Sequence, residues 1–261
     1  KNVINSTLFA VSKDDLKPSL TGVLFRFGSS GLTVVATDGH RLVKVVNDNY
    51  KTDMFKGDIV VPRKFLSYLS NHLNDEEIIL SVGETHITAT IDQDKIISRT
   101  ITEVFPDYES VIPKDNDNKL IVDKKTLLGA IKRVSIFSNK STHQVAFNIS
   151  EGQLFITTED PESSSKAREE IIATYEGEDL IIGYNGEYLK DVISHTAGDE
   201  VTIKLNTPIS ATLFIGPNKD ENKIMLLMPV RINSWNEKGP VEISSINMIS
   251  FRNHKNTNIS F

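Results

Sequence analysis

The residues whose types and spacing come closest to a reactive site are Asp38-Gly39-His40-Arg41, with a carboxylate and an imidazole two positions apart. A carboxylate that orients an imidazole belongs to a hydrolytic triad, which also needs a nucleophile held on a strained turn. The serine-rich run 162–166 offers hydroxyls, yet no Gly-x-Ser-x-Gly surrounds it, so it reads as a solvated loop. The chain has no His-x-x-x-His, no carboxylate cluster at metal-ligand spacing and no Gly-x-x-x-x-Gly-Lys loop. Cysteine is absent, which excludes disulfides, thiolate-bound zinc and thiol catalysis and is compatible with a reducing cytoplasm. No metal or cofactor is expected. A turn histidine with local hydrogen bonds accounts for His40, and a hydrolase built on Asp38 and His40 is a distant third reading.

Around that cluster the chain repeats itself. A pattern of strands and helices recurs at a period of about 120 residues, and such self-similarity identifies the unit of the fold. Val23-Leu24-Phe25, a turn around Gly31 and the stretch 32–35 recur as Val145-Ala146-Phe147, a turn at Gly152 and the stretch 154–157. Apolar alternation about a glycine turn predicts a β-hairpin in each. Asp58-Ile59-Val60-Val61, a helical stretch 63–73 and a strand 78–82 are matched by Asp179-Leu180-Ile181-Ile182, 186–197 and 201–205. Ile4, Leu8 and Val11 share one helical face, as do Leu66, Leu69 and Leu73. Pro62 is placed to open the second helix and Asp123 to cap the third. The Asp- and Asn-rich stretch 113–119 predicts a linker. The expectation is an α+β chain of two tandem units, 1–115 and 116–233, each with two helices on antiparallel sheets, followed by a tail at 234–261.

Length and composition agree with two globular domains, at 261 residues with 39% hydrophobic and 25% charged side chains. No apolar run approaches the ~20 residues that cross a bilayer, and no signal-peptide layout is present. A first residue of Lys1 fits a chain that begins inside a longer gene product. The net charge of −6 conceals a segregation. The predicted helices 1–13, 63–73, 124–140 and 185–197 carry +2, +2, +5 and −1, so −14 falls on the rest. Lysines favour solvated helix faces in most proteins, which is the plain alternative. Basic helices on an acidic body also suit one surface turned toward phosphates. No aromatic or Asn/Gln cluster points to base reading, so DNA contact would be independent of sequence.

The segment Val35-Ala36-Thr37-Asp38-Gly39-His40-Arg41-Leu42 closely resembles the signature of the bacterial sliding clamp, the β subunit of the replicative DNA polymerase. Val61-Pro62-Arg63-Lys64, Phe105-Pro106-Asp107-Tyr108, Gly183-Tyr184-Asn185 within 180–188, and Met228-Pro229-Val230-Arg231 follow in the family's order. The resemblance spans 1–233. It implies the family's second and third clamp domains, without the first domain or the second domain's opening strand. Family members close head to tail into a dimeric ring of six domains around duplex DNA. They dock polymerase, clamp loader and repair proteins through short peptide motifs, without catalysis.

Carried over by position, the resemblance implies a peptide pocket of Leu20, Thr37, Gly39, His40, Arg41, Leu42, Pro106 and Val111. Asn185, Tyr188, Ile209, Ala211, Leu226, Met228, Pro229, Val230 and Arg231 complete it. Apolar walls with a few polar groups and an adaptable methionine suit short hydrophobic motifs. Lys1, Lys17, Arg63, Lys64, Lys125, Lys132 and Arg133 would face DNA, and Ile136 and Phe137 would lie at the ring contact. The loop Lys17-Pro18-Ser19 lacks the family's aromatic residues, leaving Lys17 as a phosphate contact. The expected setting is the bacterial cytoplasm at the nucleoid, with no membrane, and this chain alone is expected to be monomeric. A stand-alone peptide-binding module that closes no ring is the alternative function. The tail's Ile249–His254 and Asn258–Phe261 faintly resemble the first hairpin of RecF-like ATPases, and the tail is assigned no role.

Overall fold

The computed structural model describes residues 1–29, 31–50, 56–73, 78–217 and 222–232. The first unit runs α1 (Asn2–Thr7), β1 (Gly22–Gly28), β2 (Gly31–Thr37), β3 (Arg41–Asn47), β4 (Gly57–Pro62), α2 (Arg63–His72), β5 (Ile79–Val82), β6 (His86–Ile91) and β7 (Asp94–Arg99). The second begins with β8 (Asn118–Asp123), α3 (Lys124–Ser135), β9 (Gln144–Ser150), β10 (Gln153–Asp160) and β11 (Ser165–Ile172). It continues through β12 (Thr174–Glu176), β13 (Leu180–Asn185), α4 (Gly186–His195), β14 (Glu200–Leu205), β15 (Thr212–Ile215) and β16 (Lys223–Leu227). The α+β class is as expected, and the tail at 234–261 lies outside the described residues.

The repeat holds at the level of strand pairing. The order β3-β2-β1-β4 recurs as β11-β10-β9-β13, and β5-β6-β7 recurs as β14-β15-β16. Phe25 faces Val34 and Ile59 across its neighbours, and Phe147 faces Ile156 and Ile182 in the same way. β8 flanks β14, and among the described residues the equivalent place beside β5 has no strand. The units join where β16 pairs antiparallel with β3, which fuses both into a nine-stranded sheet.

Strand alternation sends side chains to the two faces of that sheet. Val23, Phe25, Val34, Ala36 and Val43 enter one large core, where they meet Leu66 and Leu69 of α2, Leu127 and Ile131 of α3 and Leu189 of α4. Leu24, Val35, Leu42 and Val60 form a second cluster on the other face with Leu213, Leu226 and Tyr108, against which Phe105 and Ile112 pack. The segment around Phe105–Tyr108 is thus a cover for the sheet. Arg26 donates to the Tyr108 hydroxyl at 2.9 Å and pairs with Asp58. Burial pushes the Tyr108 phenol above its ordinary value.

Two helices end earlier than their charge and apolar spacing predict. The first stops at Thr7, tightens into a 3-10 turn at Leu8–Ala10, and leaves Lys13 in a loop where the Ser12 hydroxyl accepts from the Asp14 amide at 3.0 Å. The third stops at Ser135, and Asn139 Oδ1 accepts from the amides of Ser141 and Thr142, so Lys140 is off the helix. In both places short polar side chains offer the backbone a local alternative to the helix. Asp123 does cap α3, accepting from the Thr126 amide at 2.7 Å. The linker is shorter than expected, because β8 begins at Asn118 and buried Asn116 donates to the carbonyls of Lys204 and Ala211. Ser165 and Lys166, expected in a loop, open β11.

Candidate functional site

The β2–β3 turn is built by its own polar residues. Thr37 Oγ1 donates to the Arg41 carbonyl at 2.7 Å and accepts from the Gly39 amide at 3.0 Å. Asp38 Oδ1 accepts from the amides of His40 and Arg41 at 2.9 and 3.0 Å. Gly39 sits at φ +89°, a conformation that side chains disfavour. Both oxygens of Asp38 are therefore engaged by the turn and by the Arg41 guanidinium, whose Nε lies 3.0 Å from Oδ2. The His40 ring stacks on Tyr188 at 5.7 Å between centroids. Asp38 is spent on the turn and on Arg41, an arrangement that gives the hydrolytic reading no support.

Arg41 fastens this turn to the second unit. It is buried, donates to Asp191 Oδ2 at 2.5 Å, and lies 4.6 Å from the Tyr188 ring centroid and 5.4 Å from that of Phe9. Phe9 in turn stacks on His195 at 4.1 Å. A planar guanidinium suits this place, since it can stack and donate in several directions at once. Asn185 caps α4 by accepting from the amides of Glu187 and Tyr188, which sets the ring of Tyr188 in position.

The last strand closes the arrangement. Leu226 lies opposite Leu42, and the Met228 amide donates to the His40 carbonyl at 2.8 Å. The Val230 amide donates to the Gly183 carbonyl at 2.9 Å, and a side chain at Gly183 would meet the Val230 carbonyl at 2.7 Å. Met228 is 38% exposed, so an adaptable apolar side chain is offered to solvent at a point where the backbone is fixed.

Of the residues expected in a pocket, Thr37, Gly39, His40, Arg41, Leu42, Asn185, Tyr188, Leu226, Met228, Pro229 and Val230 gather at this joint. Ala211 packs on the cluster of Leu42 and Leu226. Pro106 and Val111 are exposed neighbours of Phe105 and Ile112, while Ile209 and Arg231 are exposed on the second unit. Leu20 is buried in a 3-10 turn, its carbonyl held by the Ser12 amide. A cleft of about 340 Å³ opens beside the turn, between Lys13, Asp14 and Lys17 on one wall and Asp38, His40, Arg41 and Tyr188 on the other. Phe9 and Asp191 went unrecognised in the sequence. Asp191 stands three positions after Tyr188 on α4, a spacing that places both on one side of the helix. Nothing local marks Phe9.

The basic residues divide. Arg63 and Lys64 are exposed and line, with Lys13, a cleft of about 570 Å³ at the start of α2. Lys17, Lys125 and Lys132 are also exposed. Lys1 Nζ donates to the Leu73 carbonyl at 2.8 Å, at the C-terminal end of α2. Arg133 is paired with Glu169 of β11, which raises its pKa and offsets its charge. A charge count along one helix does not reveal a strand carboxylate from elsewhere in the sequence. Ile136 and Phe137 are 76% and 46% exposed just past α3. The Phe137 carbonyl accepts from Ser165 Oγ at the start of β11, an edge of its sheet. Among the described residues no helix is long and apolar enough to cross a membrane.

Comparisons with known proteins bear on the whole chain. Residues 1–107 match the central domain of the DNA polymerase III beta subunit, and residues 109–231 match its C-terminal domain. A beta sliding clamp from Pseudomonas putida is 32% identical over 234 residues, covering 89% of this chain and 63% of that protein. The crystal structure of the DNA polymerase III subunit beta from Pseudomonas aeruginosa superposes with a TM-score of 0.85 at 31% identity, covering 88% of this chain and 63% of that one. A DNA polymerase sliding clamp from Bacillus subtilis gives 0.83 at 30% identity, with 89% and 62% covered. The chain thus spans somewhat under two thirds of the length of these relatives.

Proposed function

The chain belongs to the family of the DNA polymerase III beta subunit, and from that premise we propose that it forms the central and C-terminal parts of a sliding clamp. In this reading it is a non-catalytic processivity factor. It is held on duplex DNA without regard to sequence, and it docks replicative polymerase, clamp loader and repair proteins through one peptide pocket. The observation that carries the reading is the joint itself. Strand β16 delivers Leu226 and Met228 beside the Thr37–Leu42 turn, so one apolar strip with fixed polar edges is assembled from both units. The pocket comprises the residues gathered at that joint, with Leu20, Pro106, Val111, Ile209, Ala211 and Arg231 around it. Lys17, Arg63, Lys64, Lys125 and Lys132 meet phosphates. Lys1 and Arg133 add less, because each already has a protein partner.

Ring closure is the property of a longer protein with a further clamp domain, which would form a homodimer in the bacterial cytoplasm at the nucleoid, with Ile136 and Phe137 at its contact. This chain alone is a monomer that grips DNA only transiently. A stand-alone peptide-binding module shares the pocket, and the exposed edge at β11 is compatible with it, since the pocket is complete without closure. Retention on circular duplex DNA, with and without a separately supplied first domain, separates the two. A clamp part gains lasting, salt-resistant retention when the ring is completed. A module gains none.

A further inference from the structure

The joint between the units gives a rule for reading the chain's other edges. In it Leu42 faces Leu226, Lys44 faces Ile224 and Val45 faces Lys223. Because the units repeat, each strand of the joint has a counterpart elsewhere. β11 is the counterpart of β3, since Val34 on β2 and Ile156 on β10 hold matching places and face Val45 and Glu169. β7 is the counterpart of β16, since Ala89 on β6 and Phe214 on β15 match and face Ile96 and Met225. Both β7 and β11 end their sheets. Geometry alone would let β7 of one copy add to β11 of the next, head to tail.

The side chains argue against that pairing. Transferring the register of the joint sets Ile97 opposite Lys166, Lys95 opposite Arg168 and Asp94 opposite Glu169. Two of these pairs oppose like charges, which destabilises cross-strand neighbours. The third replaces Leu42 and Leu226, both buried in the joint, with an isoleucine against an ammonium. Arg133 already engages Glu169, and Glu170 lies one diagonal step from Lys95, so part of the repulsion is offset. Arg168 is stacked over Phe155 at 4.0 Å, which holds its charge on the outward face where Lys95 would arrive.

We propose that β11 is a docking edge for a strand of a different domain, one that carries carboxylates at the two outward positions facing Lys166 and Arg168. The same charges bar β7 of a second copy, so specificity here includes a repulsive element as well as an attractive one. The inference rests on the repeat and the joint and stands apart from the clamp reading.

The test uses the whole chain. Lys95→Glu turns β7 into a strand of the accepted kind, with a carboxylate facing Arg168. Arg168→Glu reaches an opposite-charge pair from the other edge. Sedimentation equilibrium at low salt is expected to show self-association strengthened on the order of three- to ten-fold by each single change. The Lys95→Glu/Arg168→Glu variant, again a like-charge pair, is expected to return to the wild-type level. The two single variants lie on different edges, so misfolding of one leaves the other informative. Wild type associating as tightly as both singles, no association in any variant, or a double variant at least as tight as the singles would each overturn the proposal.

Discussion

Arg41 shows what a single side chain does for the joint. It is buried, satisfied by Asp38 and Asp191, and stacked between two rings of different elements. Removing one partner of a buried ion pair leaves the other unpaired, which typically costs about 3–5 kcal/mol. Asp191 is half exposed, so for Arg41→Met we expect the lower end, about 2–3 kcal/mol in urea denaturation. Arg41→Lys should recover little of it, because an ammonium cannot stack and fork at once. Asp160 adds a pH dependence. Donors from Ser163 and Asn139 hold its carboxyl below the ordinary value of 3.8. A depressed folded pKa gives stability that is complete above the unfolded value and lost as pH falls through the folded one. The acid limb of stability below about pH 4 should therefore be shallower in Asp160→Asn than in wild type. The site was only partly legible at this scale. Thr37, His40 and Met228 sit in recognisable motifs, whereas Phe9 reaches Arg41 through the fold and carries no local mark.

Among the elements, α4 links cap and site most directly. Asn185 accepts from two amides at its start and so sets Tyr188 against Arg41 and His40. Asn185→Ala should cost about 1 kcal/mol of stability, and Asn185→Asp, which can still cap, much less. Thermal melts of the two variants check this; equal losses would mean that the cap is not the cause. Periodicity exposed the hairpins, the helices and the repeat because each buries one regular face. Element ends were harder to read. The stops after Thr7 and Ser135 are made by Ser12 and Asn139 bonding the backbone, and a run of lysines outweighed them in the sequence. The cover at Phe105–Tyr108 carries no period at all, since its role is to shield the far face of a sheet.

For the whole molecule, charge and the joint decide behaviour. DNA binding by this chain should be weak and should fall steeply between roughly 50 and 200 mM salt, as expected when lysines displace counterions. Lys132→Glu should weaken it alike for all sequences and lower the salt slope by about one. Sequence preference in a filter-binding assay, or indifference to salt, would contradict a phosphate-facing surface. The repeat announced two units, but not that β16 and β3 would fuse them into one sheet, because pairing between units leaves no period along the chain. That joint is what makes the pocket. The most direct test is therefore fluorescence titration of a labelled short peptide, a glutamine followed by leucine or methionine and an aromatic residue, against the chain alone. The account predicts micromolar affinity, roughly −8 kcal/mol, for the wild type. It predicts a loss on the order of 1–2 kcal/mol for Met228→Ala and a smaller one for rim Lys17→Ala. Equal binding by wild type and Met228→Ala, or no binding by either, would contradict it.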